Sequence, residues 1–253
     1  MTKKLKINMI SESEFSVKGH GVHTAYLELA NALKKRSDTD VVVNHMRRSA
    51  DITHIQTVGP YSLMHLLFGP GKKVVTAHVV PASFIGSLAG AKYWLPLAKL
   101  YLRFFYGRAD KVFAVSGSVA NVLIREMGIK VERVSIFYNT IDMAQYLTTE
   151  VDKAIARKTF GISDKTFLVV GNGQVQPRKR VDILASMAKK MPDVRFFWVG
   201  GIPFKRLGAD AQAMQKLMDN VPRNMTVTGV IELKDVKRYY QAADVFVLPA
   251  MQE

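Results

Sequence analysis

Cysteine is absent from all 253 residues. That excludes a disulfide framework, a thiol nucleophile and cysteine-ligated zinc, and it fits a reducing compartment. Long apolar runs are missing as well. A membrane span needs about 20 such residues and a secretory signal about 7–15, and the opening MTKKLKINMISESEF offers neither. A cytoplasmic protein is therefore expected. The six histidines are scattered, with no H-x-x-x-H pair on a helical stretch. No metal centre is expected, and His23, His45, His54 and His65 read as structural or surface residues. Acidic residues are scarce: 21 against 36 Lys plus Arg, a formal net charge of +15. Between Ile52 and Ala109 there is none at all, while Lys72, Lys73, Lys92, Lys99, Arg103 and Arg108 fall in that window. Such an excess points to a polyanionic partner: nucleic acid, an anionic membrane surface or a phosphate-bearing substrate. No recognition helix, RNP pattern or zinc finger accompanies the charge, so nucleic acid is not expected.

What is present includes enough apolar residues, 48% of the chain, to build a buried core. Short β-branched runs alternate with longer amphipathic stretches, the pattern of parallel βαβ units. LKINMI (Leu5–Ile10) reads as a strand and VHTAYLELANALKKR as a helix, with Val22, Ala25, Leu29 and Leu33 on one face. Strands at Val41–Asn44, Ile52–Gln56, Lys73–His78, Lys111–Ser116 and Val134–Asn139 complete a first set, and Gly128 is placed to end the helix GSVANVLIREMG. A connector with a short helix occupies Asp142 to about Phe160. A second set runs through TFLVVGNG, the helix VDILASMAKKM, VRFFWVGG, a helix from Asp210 to Asn220, MTVTG, the helix LKDVKRYYQAA and DVFVLP. The expectation is two doubly wound α/β domains, residues 1–145 and 146–253. The chain stops in the loop after DVFVLP, so the second domain is expected to be incomplete. An unpaired sheet edge would then make the isolated fragment poorly soluble.

Three loops carry candidate chemistry. In VKGHGVHTAYLELA, Gly19 and Gly21 let backbone N–H groups approach a ligand at a helix amino end. Thr24 stands where a dinucleotide fingerprint would need a third glycine, and an ordinary tight turn reads the same way. In GNGQVQPRKRVDIL, Gly173 and the cations Arg178, Lys179 and Arg180 precede a helix, which suits a diphosphate; a solvated basic turn is the alternative. In ADVFVLPAMQE, Glu253 lies one loop beyond a strand, where a carboxylate could accept bonds from sugar or ribose hydroxyls.

Taken in order, these loops and their flanks resemble the family-four retaining glycosyltransferases over the whole chain. The matches are GHGVHTAYLELANAL, His78 in VVTAH, ADKVFAVSGSVANVL, Asn139 and Asp142 in YNTID, GQVQPRKR, VTGVI and ADVFVLPAMQE. The resemblance implies a GT-B architecture of two Rossmann-like domains, an acceptor- and membrane-side domain followed by a donor-binding one. It implies a nucleotide sugar as co-substrate and no bound cofactor. It puts Lys179 on the donor diphosphate, with Gly173, Gln174 and Arg178 in the same donor loop. Gly21 would lie near the phosphate or acceptor, and Val230 or Ile231 would meet the nucleotide base through the backbone. His78, beside the transferred sugar, and Glu253 are the catalytic candidates. Glu253 would be the first glutamate of a Glu-x7-Glu pair, whose second member is not in the chain. Gln174 stands where the family's loop has arginine, which removes one cation. GQVQPRKRVDIL and WVGGIPF further resemble the branch that glucosylates diacylglycerol, which implies UDP-glucose as donor.

The segment FIGSLAGAKYWLPLAKLYLRFFYGR bears on the acceptor. At 100° per residue, Lys92, Lys99 and Arg103 fall within about 40° of one another on a helix crowded with Trp94, Leu95, Leu97, Leu100, Leu102, Phe104 and Phe105. A basic stripe beside aromatic residues suits a helix lying in an anionic headgroup layer; a buried helix whose cations snorkel outward is the alternative. The expected function is a peripheral enzyme at the inner membrane face, moving glucose from UDP-glucose to a lipid hydroxyl such as that of diacylglycerol. A soluble sugar or cell-wall acceptor competes with that reading. So does a non-catalytic remnant that only docks to a membrane or partner.

Overall fold

Runs rich in valine and isoleucine become strands here because helices on either side bury both faces of the sheet they form. The computed structural model of the chain describes residues 3–15, 21–46, 49–141, 143, 146–202 and 209–251. The chain divides into two compact units, one of Met1–Ser83 with Tyr93–Asp142 and one of Phe84–Lys92 with Met143–Glu253.

In the first unit, β1 (Leu5–Ile10), β2 (Thr39–Val43), β3 (Ile52–Ile55), β4 (Lys72–Ala77), β5 (Lys111–Ala114) and β6 (Val134–Ile136) lie in the order β2-β1-β3-β4-β5-β6. The pairs are parallel, with Met9 opposite Val43 on one side and His54 on the other. The strand order reverses at β1 and β3, so the loops at their carboxyl ends flank the crevice where such sheets hold ligands. Helix α1 (Gly21–Lys34) packs Tyr26 and Ala30 onto Ile7 and Met9. Helix α2 (Pro60–Phe68) has little sequence signal: PYSLMHLLF is short, its polar Ser62 and His65 are buried with Leu66, and only its first-turn proline announces it. Helix α3 (Ala91–Gly107) starts later than the apolar run that contains it, because Gly86 (φ 71°) and Gly90 (φ 65°) break the chain first. Helix α4 (Gly117–Asn121) continues into a wider turn that ends, as expected, at a left-handed Gly128 (φ 68°). His54 proves structural: its Nε2 lies 2.8 Å from Thr76 Oγ1. Burial, with a smaller push from His78, lowers its pKa to about 4, so the ring is neutral at ordinary pH.

In the second unit, β7 (Leu168–Asn172), β8 (Arg195–Val199), β9 (Met225–Val227) and β10 (Val245–Phe246) form a parallel sheet ordered β10-β7-β8-β9. Helix α5 (Glu150–Thr159) is the expected connector helix, begun by a capping box in which Thr149 and Asp152 satisfy each other's backbone N–H. Helices α6 (Val181–Lys190), α7 (Ala211–Asp219) and α8 (Leu233–Ala242) follow. Alternate residues of β8 serve opposite faces: Phe196 and Trp198 join Val169 and Leu184, while Phe197 and Val199 join Leu168, Val170 and Ala242. Gly171 is required by this packing, since a Cβ there would stand 2.7 Å from the Trp198 ring. The reversal of strand order falls between β7 and β10, which makes the loops after those two strands the ligand-facing ones.

Candidate functional site

The loop after β7 is held by backbone bonds across the sheet end. Gly173 N–H donates to Val199 O at 3.0 Å, and Val175 N–H to Gly201 O at 2.9 Å. Trp198 Nε1–H donates to Gly173 O at 2.9 Å. The approach demands glycine twice: Gly173 (φ 142°) and Gly200 (φ 136°) are both left-handed, and a Cβ on Gly200 would fall 2.1 Å from Gly173 O. Pro177–Lys179 then forms one 3-10 turn, and Arg180 takes φ 54° before α6 begins.

The three cations of this turn, alike in sequence, differ in structure. Arg180 is tied to Asp182 two residues on, at 2.8 Å. Arg178 donates its Nε–H to Ser87 Oγ at 2.8 Å. Lys179 is only 9% exposed, and its stem passes Gly173, with Cδ and Cε 3.6 Å from where a Cβ would stand. Gln174 is half-buried beside them, and Gln176 is 2% exposed. Ser87 belongs to the Phe84–Lys92 segment of this same unit, although more than 80 residues separate it from the loop in sequence. Nothing local in the sequence signals Ser87 or Gln176; the contact is tertiary. Gly86 approaches closely too, its Cβ position 3.2 Å from Arg178 Cβ.

The neighbouring loops complete this sheet end. Val230 is exposed and Ile231 half-buried after the left-handed Gly229, and a Cβ on Gly201 would stand 2.8 Å from Val230 N. Met251 N–H donates to Arg178 O at 2.9 Å, which ties the loop after β10 to the loop after β7. Glu253, Asp142 and Gly19 lie outside the described residues. An open cavity bounded by Tyr240, Ala243, Asp244, Val245 and Phe246 lies at the amino end of β10, the end opposite to these loops.

In the first unit, the carboxyl ends of β1, β3 and β4 gather a second set of polar groups. His78 Nε2 lies 3.1 Å from Gln56 Oε1. Ser13 Oγ is 2.6 Å from Ser11 Oγ and 2.9 Å from His23 Nδ1. Tyr106 and Tyr101 donate their hydroxyls to Val79 O and Val58 O, each at 2.6 Å, and so pin the loops that follow β4 and β3. Ser11, Ser13 and Gln56 were missed in the sequence; their positions directly after strands were the available signal. Gly21 opens α1 with nothing within 4 Å of its Cβ position, so packing does not demand glycine there.

Helix α3 is apolar on two sides. Leu102, Phe105 and Tyr106 are fully buried, and Trp94 is half-buried on that side rather than displayed. Tyr93, Leu97, Leu100 and Phe104 are exposed, at 78%, 70%, 65% and 42%. These four fall within about 60° of one another, and Lys92, Lys99 and Arg103, all exposed, run along one edge of them. Arg108 borders the other edge, its guanidinium 4.9 Å from the Phe104 ring centre. Among the described residues, no helix is long and apolar enough to cross a membrane, and no three His, Asp or Glu side chains gather as metal ligands would.

Family models match in two places: Glycosyltransferase Family 4 over residues 41–145, and Glycosyl transferases group 1 over residues 164–253. The chain is 32% identical to the alpha-galactosylglucosyldiacylglycerol synthase of Streptococcus pneumoniae, across 99% of this chain and 68% of that protein. It is 25% identical to the processive diacylglycerol alpha-glucosyltransferase of Acholeplasma laidlawii, across 88% of this chain and 70% of that protein. Among solved structures, Anabaena Alr3699/HepE in complex with UDP and glucose superposes with a TM-score of 0.73 at 16% identity, covering 97% of this chain and 74% of that one. Sucrose-phosphate synthase from Thermosynechococcus elongatus gives 0.76 at 15% identity, over 98% and 76%. At such identities the structural likeness shows the fold alone: parallel α/β sheets in the GT-B arrangement.

Proposed function

The chain belongs to glycosyltransferase family 4, and from that premise we propose that it moves a hexose, with retention, from a uridine diphosphate sugar to a hydroxyl of a diacylglycerol-type lipid. The second unit is the donor side and the first the acceptor and membrane side. UDP-glucose is the donor in this reading, supported by the family resemblance and by the name of the Acholeplasma laidlawii relative, a diacylglycerol alpha-glucosyltransferase. The name of the Streptococcus pneumoniae relative, whose product carries a galactosyl group on glucosyldiacylglycerol, makes a galactosyl donor the competing reading. The anomeric carbon leaves the diphosphate oxygen and joins the acceptor oxygen, whose proton passes to the released diphosphate or to solvent. Negative charge grows on the leaving diphosphate. The Lys179 ammonium, with the N–H groups that open α6, meets that charge without a metal ion. His78, held at Nε2 by Gln56, is assigned to the transferred sugar, and Gly21 to the phosphate or acceptor. Val230 and Ile231 are assigned to the base and Glu253 to the sugar, all on the family resemblance.

One observation carries the lipid half of the reading: the exposed apolar stripe of α3 with its basic borders. A helix facing only water would be polar there. A helix resting in a headgroup layer buries such a stripe, and anionic lipid attracts its cations, most strongly at the cytoplasmic leaflet. Each Lys or Arg near such a surface contributes about 1 kcal/mol, so Lys99→Ala with Arg103→Ala removes about 2 kcal/mol. Co-sedimentation with phosphatidylglycerol-rich vesicles should therefore weaken about 30-fold in the double variant, with the melting temperature unchanged. Equal vesicle binding by the double variant and the wild type would remove α3 as the membrane contact, and the lipid acceptor would then rest on the names of the two relatives alone.

A further inference from the structure

Gln176 is buried in the donor loop with half of its amide unused. Its Nε2 has no hydrogen-bond partner among the described residues, although the residue is 2% exposed. Buried amide donors without an acceptor are rare because each forfeits its bonds to water and receives nothing back. The other half of the amide is fixed. Ser87 Oγ accepts the Nε–H of Arg178 at 2.8 Å, which leaves its own hydrogen for Gln176 Oε1 at 3.3 Å. The amide oxygen is thus turned toward Ser87, and the nitrogen is the atom left over. The backbone adds a second constraint: Gln176 O accepts the Lys179 N–H at 3.0 Å, so the bare amide and the lysine stand at the two ends of one tight turn. Val175, just before, is pinned to Gly201.

We infer that Gln176 is a further donor-binding residue, giving its Nε2–H to a phosphate oxygen of the nucleotide-sugar diphosphate beside Lys179. The inference rests on the reading of this loop as a diphosphate cradle and adds to it a directed, uncharged donor. Ser87 is the positioning residue, because its single hydroxyl orients the Gln176 amide and holds the Arg178 Nε edge at once.

Titration of UDP and of UDP-glucose into the wild type, Gln176→Leu and Gln176→Glu tests this. A hydrogen bond to a charged group lost from a buried site corresponds to UDP binding about 10- to 100-fold weaker in Gln176→Leu, and UDP-glucose weaker by the same factor. Gln176→Glu keeps the length of the side chain and an oxygen for Ser87 but sets a carboxylate against the diphosphate. Its UDP affinity should be lower still at pH 8 and recover in part toward pH 5 as the carboxyl protonates, which the wild type should not do. That recovery stands without the leucine variant should the latter fail to fold. Gln176→Leu binding UDP within about twofold of the wild type overturns the assignment. A loss confined to UDP-glucose, with UDP unaffected, also overturns it, by moving the contact to the sugar. A wild type that binds no UDP overturns the reading of the donor loop itself and this assignment with it.

Discussion

Replacing Lys179 with alanine is expected to lower kcat/KM for the nucleotide sugar about 100- to 1,000-fold while moving the melting temperature by no more than a few degrees. The magnitude is that of removing one preorganised group from a charge that develops as the reaction proceeds. The specificity of the expectation comes from the unequal fates of the three neighbouring cations. Arg180 is neutralised by Asp182 in the first turn of α6, and Arg178 is anchored through Nε to Ser87. Lys179 alone is nine-tenths buried along Gly173, at the loop that the reversal of strand order selects for ligand binding. Arg180→Ala should therefore change kcat/KM less than about fivefold, since it removes one partner of an exposed pair. Steady-state rates with UDP-glucose as the varied substrate separate the two variants. Equal effects at positions 179 and 180 would mean that the turn acts as a diffuse positive patch and holds no fitted phosphate.

The largest expected loss of stability lies at Arg157. Its side chain is 4% exposed, and Nη1 donates to Ala242 O and to Asp244 Oδ2, each at 3.1 Å. Nη2 donates to Ser163 O at 2.7 Å and to Thr166 O. One guanidinium thus joins α5, the loop before β7 and the chain between α8 and β10. Asp244 also takes Lys153 Nζ and the Leu168 N–H, both at 2.8 Å. Burial pushes the Asp244 carboxyl pKa up, but Lys153, the Leu168 N–H and Arg157 outweigh it and hold the carboxyl below its usual range. With a depressed folded pKa, this contribution is complete above the unfolded carboxylate value near ~3.9 and disappears as pH falls through the folded one. Arg157→Ala leaves buried carbonyls and a carboxylate short of partners and should cost about 3–5 kcal/mol at pH 7, read from the urea midpoint. Arg36→Ala, which breaks the fully exposed pair with Asp38 at 2.6 Å, should leave the urea midpoint essentially unmoved, because solvent screens that pair. A loss below about 1 kcal/mol for Arg157→Ala would show that the second unit does not depend on this junction.

Much of the fold was legible because parallel α/β proteins write their elements in local pattern. Asp210 and Asn220, which bound a helical pattern in the sequence, cap α7, and Gly128 ends the turn after α4 because only glycine takes that conformation cheaply. Helix α2 is hard to read because nine residues whose polar members, Ser62 and His65, are themselves buried show no polar face to set a periodicity. The seven ordered motifs were enough to reach the family and its fold. What they could not convey was partnership. Arg178, Lys179 and Arg180 look interchangeable in the sequence, and their separation into anchor, phosphate candidate and ion-pair member depends on Ser87, Gly173 and Asp182. On α3 the basic stripe is visible, but the division of its apolar residues into a buried set and the exposed Tyr93, Leu97, Leu100 and Phe104 depends on tertiary packing.

The central claim is that this glycosyltransferase places a hexose on a membrane lipid, and its product tests that most directly. The protein would be incubated with UDP-glucose and anionic vesicles containing diacylglycerol, and the extracted lipids examined by mass spectrometry and by NMR of the anomeric proton. The expected result is a hexosyl lipid in the α configuration that forms only with vesicles present. Hexose found on a soluble acceptor with no glycolipid formed, or a β-linked lipid product, would contradict it.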